Sequence, residues 1–160
     1  MLFVMSTGPA RSIAPRTGRG FATYSALVAG SRCRDAAHIA LIQRLLVRLA
    51  AGIRHRLEAP IQPGDQRAWD VLLTVGAVRI GVIAETRIRD LQALLRREHQ
   101  KQLDGGVDLL LLLVGDTKHN RAALRDAGQL VTVAFPLTTR AVLTRLARGE
   151  APGASGVVIL

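Results

Sequence analysis

Apolar residues first fall into a clear pattern at Ile39, Ile42, Leu45, Leu46, Leu49 and Ile53, with Arg44 and Arg48 on the opposite side. This helical period predicts an amphipathic helix over 36–53, closed by Gly52 and the basic "RHR" that follows. Residues 56–61 suit a short first strand, and Pro63 and Gly64 in "QPGDQ" break any regular pattern after it. The period then shortens. Residues 69–75 and 78–85 are rich in strand formers and separated by Gly76 and Ala77, the spacing of a tight hairpin. In the second strand Ile80, Val82 and Ala84 alternate with Gly81, Ile83 and Glu85. With apolar residues on both faces, it reads as a central strand ending in an acid.

Ile88, Leu91, Leu94 and Leu95 mark the buried side of a helix that ends near "DGG", and 107–114 reads as the next strand. Beyond it the pattern predicts a helix over 118–127, a strand at "LVTVAF", a helix over 139–148 and a terminal strand at "GVVIL". There is no internal repeat. Helices and strands in this order predict an α/β fold, a mixed β-sheet with helices on both faces. A right-handed crossover would carry the chain from the Glu85 strand to the next one, making the end of the Glu85 strand a natural cleft.

A length of 160 residues and an apolar content of 49% suit one globular domain, here 36–160, preceded by a pattern-poor leader over 1–35 expected to be disordered or vestigial. The formal charge of +10 suggests a polyanionic partner. Its distribution narrows that reading: Met1 to Arg56 holds nine arginines and one acid, Asp35, while the remainder has thirteen bases and eleven acids. Arginine outnumbers lysine twenty to two, as a GC-rich coding sequence produces without any functional cause. Aromatic residues, at 3%, are too few for the stacking platforms of single-strand binders. A single cysteine, Cys33, excludes an internal disulfide and a cysteine-cluster zinc site and fits a reducing, cytoplasmic setting. The longest apolar run, "VDLLLLLVG", is far short of the ~20 residues of a spanning helix, so no membrane partner is expected. Apolar "MLFVM" precedes any positive charge, the wrong order for a secretory signal.

Asp70 and Glu85 are the acids that could carry chemistry. A two-residue turn at Gly76 and Ala77 would set Glu85 opposite Ala68 and Asp70 diagonally from it on the same face, within reach of one hard ion such as magnesium. Such an ion polarises a phosphodiester and generates hydroxide. Two positions after Glu85 stands Arg87, which can hold a phosphate but cannot accept a proton. The bland alternative is a pair of strand-end acids bound to nearby arginines such as Arg67 and Arg87.

An acid at the start of a hairpin, an acid-x-base at its end and a helix after it resemble the PD-(D/E)XK, or restriction-endonuclease-like, superfamily. More closely, "PGDQRAWD", "RIGVIAETRIRDLQALLRR", "LLLVGDTKHNRAAL" and "GASGVVIL" resemble the C-terminal domain of helix-turn-helix (XRE-type) regulators of high-GC bacteria, over roughly 36–160. The resemblance implies Asp70 and Glu85 as metal ligands for magnesium, Arg87 in place of the superfamily lysine, and Gln92 as a polar helix residue facing the cleft. Two departures accompany it. Ile83 occupies a position where the family pattern more often has an acid, and ~35 residues upstream are too few for the three packed helices of a helix-turn-helix module.

The leading expectation is a DNA-associated regulatory domain on a degenerate nuclease fold. Magnesium-dependent hydrolysis of phosphodiester bonds through Asp70, Glu85 and Arg87 is one alternative; a truncated product without independent function is another. "DTK" at 116–118 competes as an acid-x-lysine site, although Asp116 or Thr117 is equally placed to cap a helix. His38, His55, His99 and His119 show no metal-ligand spacing, and Asp90, Arg97 and Lys101 read as a solvated helix face.

Overall fold

Gly76 has the positive φ, +60°, that a two-residue hairpin needs at its first turn position. Around it β2 (Ala68–Val75) and β3 (Val78–Glu85) pair antiparallel from Val75↔Val78 to Val71↔Val82, the register expected from the sequence. The computed structural model describes residues 36–160; the leader over 1–35 and Cys33 lie outside the described residues. Within them α1 (Ala36–Leu46), β1 (Arg54–Pro60) and the hairpin are followed by α2 (Leu91–Gly105), β4 (Leu109–Val114), α3 (Lys118–Asp126), α4 (Gln129–Ala134), α5 (Thr139–Ala147) and β5 (Gly156–Ile159). The five strands lie in the order β1-β2-β3-β4-β5; the first three are antiparallel, and β3, β4 and β5 run parallel. The protein is therefore α/β with a mixed five-stranded sheet. No described helix is long and apolar enough to cross a membrane.

The two faces of β3 sort the core. Ile80, Val82 and Ala84 join Leu41, Ile42 and Leu45 of α1 and Val142 and Leu146 of α5, whereas Ile83 packs with Leu91, Leu94 and Trp69 under α2. Strands β3 and β4 are apolar on both sides because each is covered twice, as parallel strands between helical layers must be.

Two boundaries and one element depart most from the sequence reading. The first helix stops at Leu46, short of Ile53, where the chain turns and Ala50 N–H donates to the Leu146 carbonyl at the end of α5. The first strand starts earlier, at Arg54. The larger difference is "LVTVAF", expected as a strand and found as helix α4. The place beside β4 is filled by β5, and the outer edge of β5 is met by Leu137, just beyond this segment, in an isolated parallel bridge to Gly156. The segment coils instead, with Val131 and Phe135, one helical turn apart, packed on the α2-side core and Leu130 and Val133 exposed.

Candidate functional site

Glu85 closes β3, and the loop that follows, Thr86 to Asp90, is fixed from below by one buried side chain. Asn120 accepts from Ile88 N–H at 2.9 Å and donates to the Thr86 and Gly115 carbonyls at 2.9 and 2.8 Å. His119 adds a bond from Nε2 to the Ile88 carbonyl at 2.7 Å. The two loops at the carboxyl ends of β3 and β4 are thus one hydrogen-bonded unit. Asp90 leaves it as the N-cap of α2, accepting from Ala93 N–H at 2.9 Å.

Asp70 reaches the site through an irregularity in β2. Trp69 packs over Gly81 on the α2 side, yet Val71, two residues on, belongs to the α1 side; in a regular strand they would share a face. The change falls at Asp70. The β1–β2 ladder skips Asp70 and its neighbour Glu58, whose φ of +48° is uncommon outside glycine. The β2–β3 ladder ends at Val71↔Val82, and beyond it the Asp70 Oδ2 atom accepts the Ala84 N–H at 2.7 Å. The carboxylate thus replaces a backbone carbonyl. Its Oδ1 atom lies 3.6 Å from His38 Nε2 of α1, and both side chains are more than four-fifths buried, at 18% and 16% exposed.

Glu85 turns the other way. Its Oε1 atom lies 3.7 Å from the Arg97 guanidinium of α2, which also contacts the buried Glu98 at 3.0 Å; Lys101 Nζ lies 2.8 Å from the other Glu98 oxygen and 5.8 Å from the centre of the Trp69 ring. Burial raises the Glu85 pKa above the ordinary glutamate value. Arg97 opposes that rise, while the charges of Asp70 and Glu98 add to it and His38 opposes it. The folded chain consequently holds this proton to higher pH than the unfolded chain does, and stability is withdrawn as pH rises from the ordinary glutamate value through the folded one. Glu85→Gln is expected to raise the melting temperature near pH 7 and to leave it unchanged at about pH 3, where glutamate is protonated in both states. Melting curves across that range check this; a lowered melting temperature near pH 7 would show that the carboxylate stabilises the fold instead.

Arg87 is exposed in the loop after Glu85, and Gln92 is exposed on the first turn of α2. Asp70 and Glu85 are close enough for one charge to raise the other's pKa, but their partners lie in opposite helical layers. Arg67, a candidate partner for them, pairs with Asp65 and Asp104 instead, at 2.7 and 2.8 Å. At "DTK" the capping reading holds: Thr117 caps α3, accepting from Asn120 N–H, while Asp116 forms a two-pronged pair with Arg121 at 2.6 and 2.9 Å. Of the expected solvated face, Asp90 and Arg97 are exposed, Asp90 also capping α2, whereas Lys101 is corrected, being 14% exposed against Glu98 and Trp69.

Sequence reasoning assigns no role to His38, Glu98 or Asn120 in this site. Asn120 has a local signal, its place three residues after Thr117, where a cap turns it inward. His38 has none, because Asp70 lies on another element far along the chain. Glu98 shows only a helical spacing to Lys101, which does not tell a buried pair from a solvated one. No family model, curated protein or solved structure matches the chain.

Proposed function

We propose that the chain is a DNA-associated regulatory domain on a restriction-endonuclease-like sheet whose former catalytic cleft has been closed by protein contacts. The observation that carries this reading is the engagement of both cleft acids: Asp70 with Ala84 N–H and His38, Glu85 with Arg97. The antiparallel hairpin followed by a helix and a parallel strand supports the restriction-endonuclease-like assignment, with the acids at the carboxyl end of the central strand.

These residues fit magnesium poorly. A hard dication takes about six oxygen ligands in near-ideal octahedral geometry. Here one Asp70 oxygen is spent on the backbone, a guanidinium stands beside Glu85, and the family's further acid position is Ile83, which is 3% exposed in the core. Arg87 cannot serve as a proton acceptor. The acids of the cleft are taken up in contacts among β2, β3, α1 and α2, Asp70 with Ala84 N–H and His38 and Glu85 with Arg97.

DNA association is supported by charge. Residues 36–160 contain seventeen arginines and lysines and eleven acids, so the folded domain is itself basic. The test is a plasmid assay in magnesium, expected to show retardation of the DNA without nicking.

A further inference from the structure

The net positive charge of the described domain falls mostly on one layer. Residues 36–53 and 137–153, which form α1, α5 and their connecting turns, hold Arg44, Arg48, Arg140, Arg145 and Arg148 and a single acid, Glu150. The rest of the described domain has twelve bases against ten acids. A coding bias toward arginine would raise the count without choosing a layer.

All five of these arginines are exposed. Ion pairs among the described residues engage other bases: Arg67 with Asp65 and Asp104, Arg97 and Lys101 with Glu85 and Glu98, Arg121 with Asp116, and His38 with Asp70. The two helices are neighbours, since Leu41 and Leu45 share a core with Val142 and Leu146, and Ala50 N–H bonds to the Leu146 carbonyl at 3.1 Å. Arg44 lies on the last turn of α1 and Arg48 in the turn just beyond it, where its guanidinium donates to the Arg44 carbonyl; Arg145 and the cap residue Arg148 are three apart at the end of α5. Like charges this close in the chain repel, and an anion relieves them. A shallow depression of about 400 Å³ on α5 is lined by Arg140, Thr144, Arg145 and Arg148, with the single acid Glu150 beside them.

We infer that this α1–α5 layer, and not the carboxylate cleft, is the surface that holds duplex DNA, through its phosphates; the inference rests on the DNA-associated reading above. Guanidinium forks match phosphate oxygens. The layer contains no Phe, Tyr or Trp on which unpaired bases could stack, which favours a duplex backbone over a single strand. Contacts of this kind give affinity without base readout.

The experiment measures binding of the full chain to labelled duplexes of two unrelated sequences over a range of salt. The proteins are wild type, a variant with Arg44, Arg48, Arg145 and Arg148 all changed to Ser, the same four changed to Lys, and an Arg54→Ser, Arg56→Ser control on the exposed edge strand β1. The serine variant is expected to bind both duplexes roughly 100-fold more weakly, with a log affinity against log salt slope shallower by about one per arginine removed. The lysine variant and the control are expected to stay near wild type. A serine variant that binds like wild type overturns the assignment of this layer while leaving DNA association intact. Wild type that binds anionic vesicles but neither duplex, even in low salt, overturns both.

Discussion

Trp69→Ala is expected to cost about 3–5 kcal/mol of stability, the range for removing a fully buried large aromatic side chain. Trp69 is 1% exposed, spans the gap left by Gly81 and Gly105, and carries Lys101 over its ring, so nothing nearby can collapse into its place without moving α2. A fall in melting temperature on the order of 10–20 °C follows for a domain of this size. The cause is specific enough to be tested by coupling. A Cβ on Gly81 would stand 2.7–2.9 Å from three ring atoms of Trp69, so Gly81→Ala alone should cost about 1–3 kcal/mol through overpacking. In the Trp69→Ala background that cost should largely disappear. Denaturant melts of the four proteins give the coupling; additive costs would mean that the ring does not depend on the glycine.

The second large effect is at Asn120. Its side chain satisfies Ile88 N–H and the Thr86 and Gly115 carbonyls from a fully buried position. Asn120→Ala removes the partner of Ile88 N–H and of the Thr86 carbonyl, while the Gly115 carbonyl keeps its bond from Thr117 N–H, and at about 1–3 kcal/mol for each unsatisfied group the expected loss is ~2 kcal/mol or more. Asn120→Asp should be no milder, because it keeps the acceptor for Ile88 but places an acceptor against two carbonyls. Hydrogen exchange locates the damage: the Ile88 amide should lose protection before the β3 and β4 amides do. Equal loss throughout would mean that the loops are not held separately from the sheet.

The hairpin and the central strand were legible because their signals are local. Gly76 and Ala77 set the turn, the turn sets the register, and the two apolar faces of β3 announce two covering layers. Helix α4 was not legible for the opposite reason. "LVTVAF" has strand composition, and nothing local in it tells that the place beside β4 goes to β5, more than twenty positions later. The acids show the same division. Their presence at the end of the hairpin could be read from spacing, but the change of face at Asp70 that parts Trp69 from Val71 could not, since alternation gives no warning of it and the β1–β2 register is the same on either side. Nor could the partners of Asp70 and Glu85 be read, because α1 and α2 supply them across the fold.

These contacts turn the opening ambiguity of the two acids into a question about DNA. The direct measurement is to incubate supercoiled plasmid with the full chain in magnesium, at low and moderate salt, beside the Asp70→Ala, Glu85→Ala double variant. The expected result is that wild type retards the plasmid, that salt releases it, that the DNA stays supercoiled, and that the double variant, if it remains folded, behaves in the same way. Nicking by wild type that requires magnesium and is lost in a folded double variant would contradict this and make the cleft a working nuclease centre.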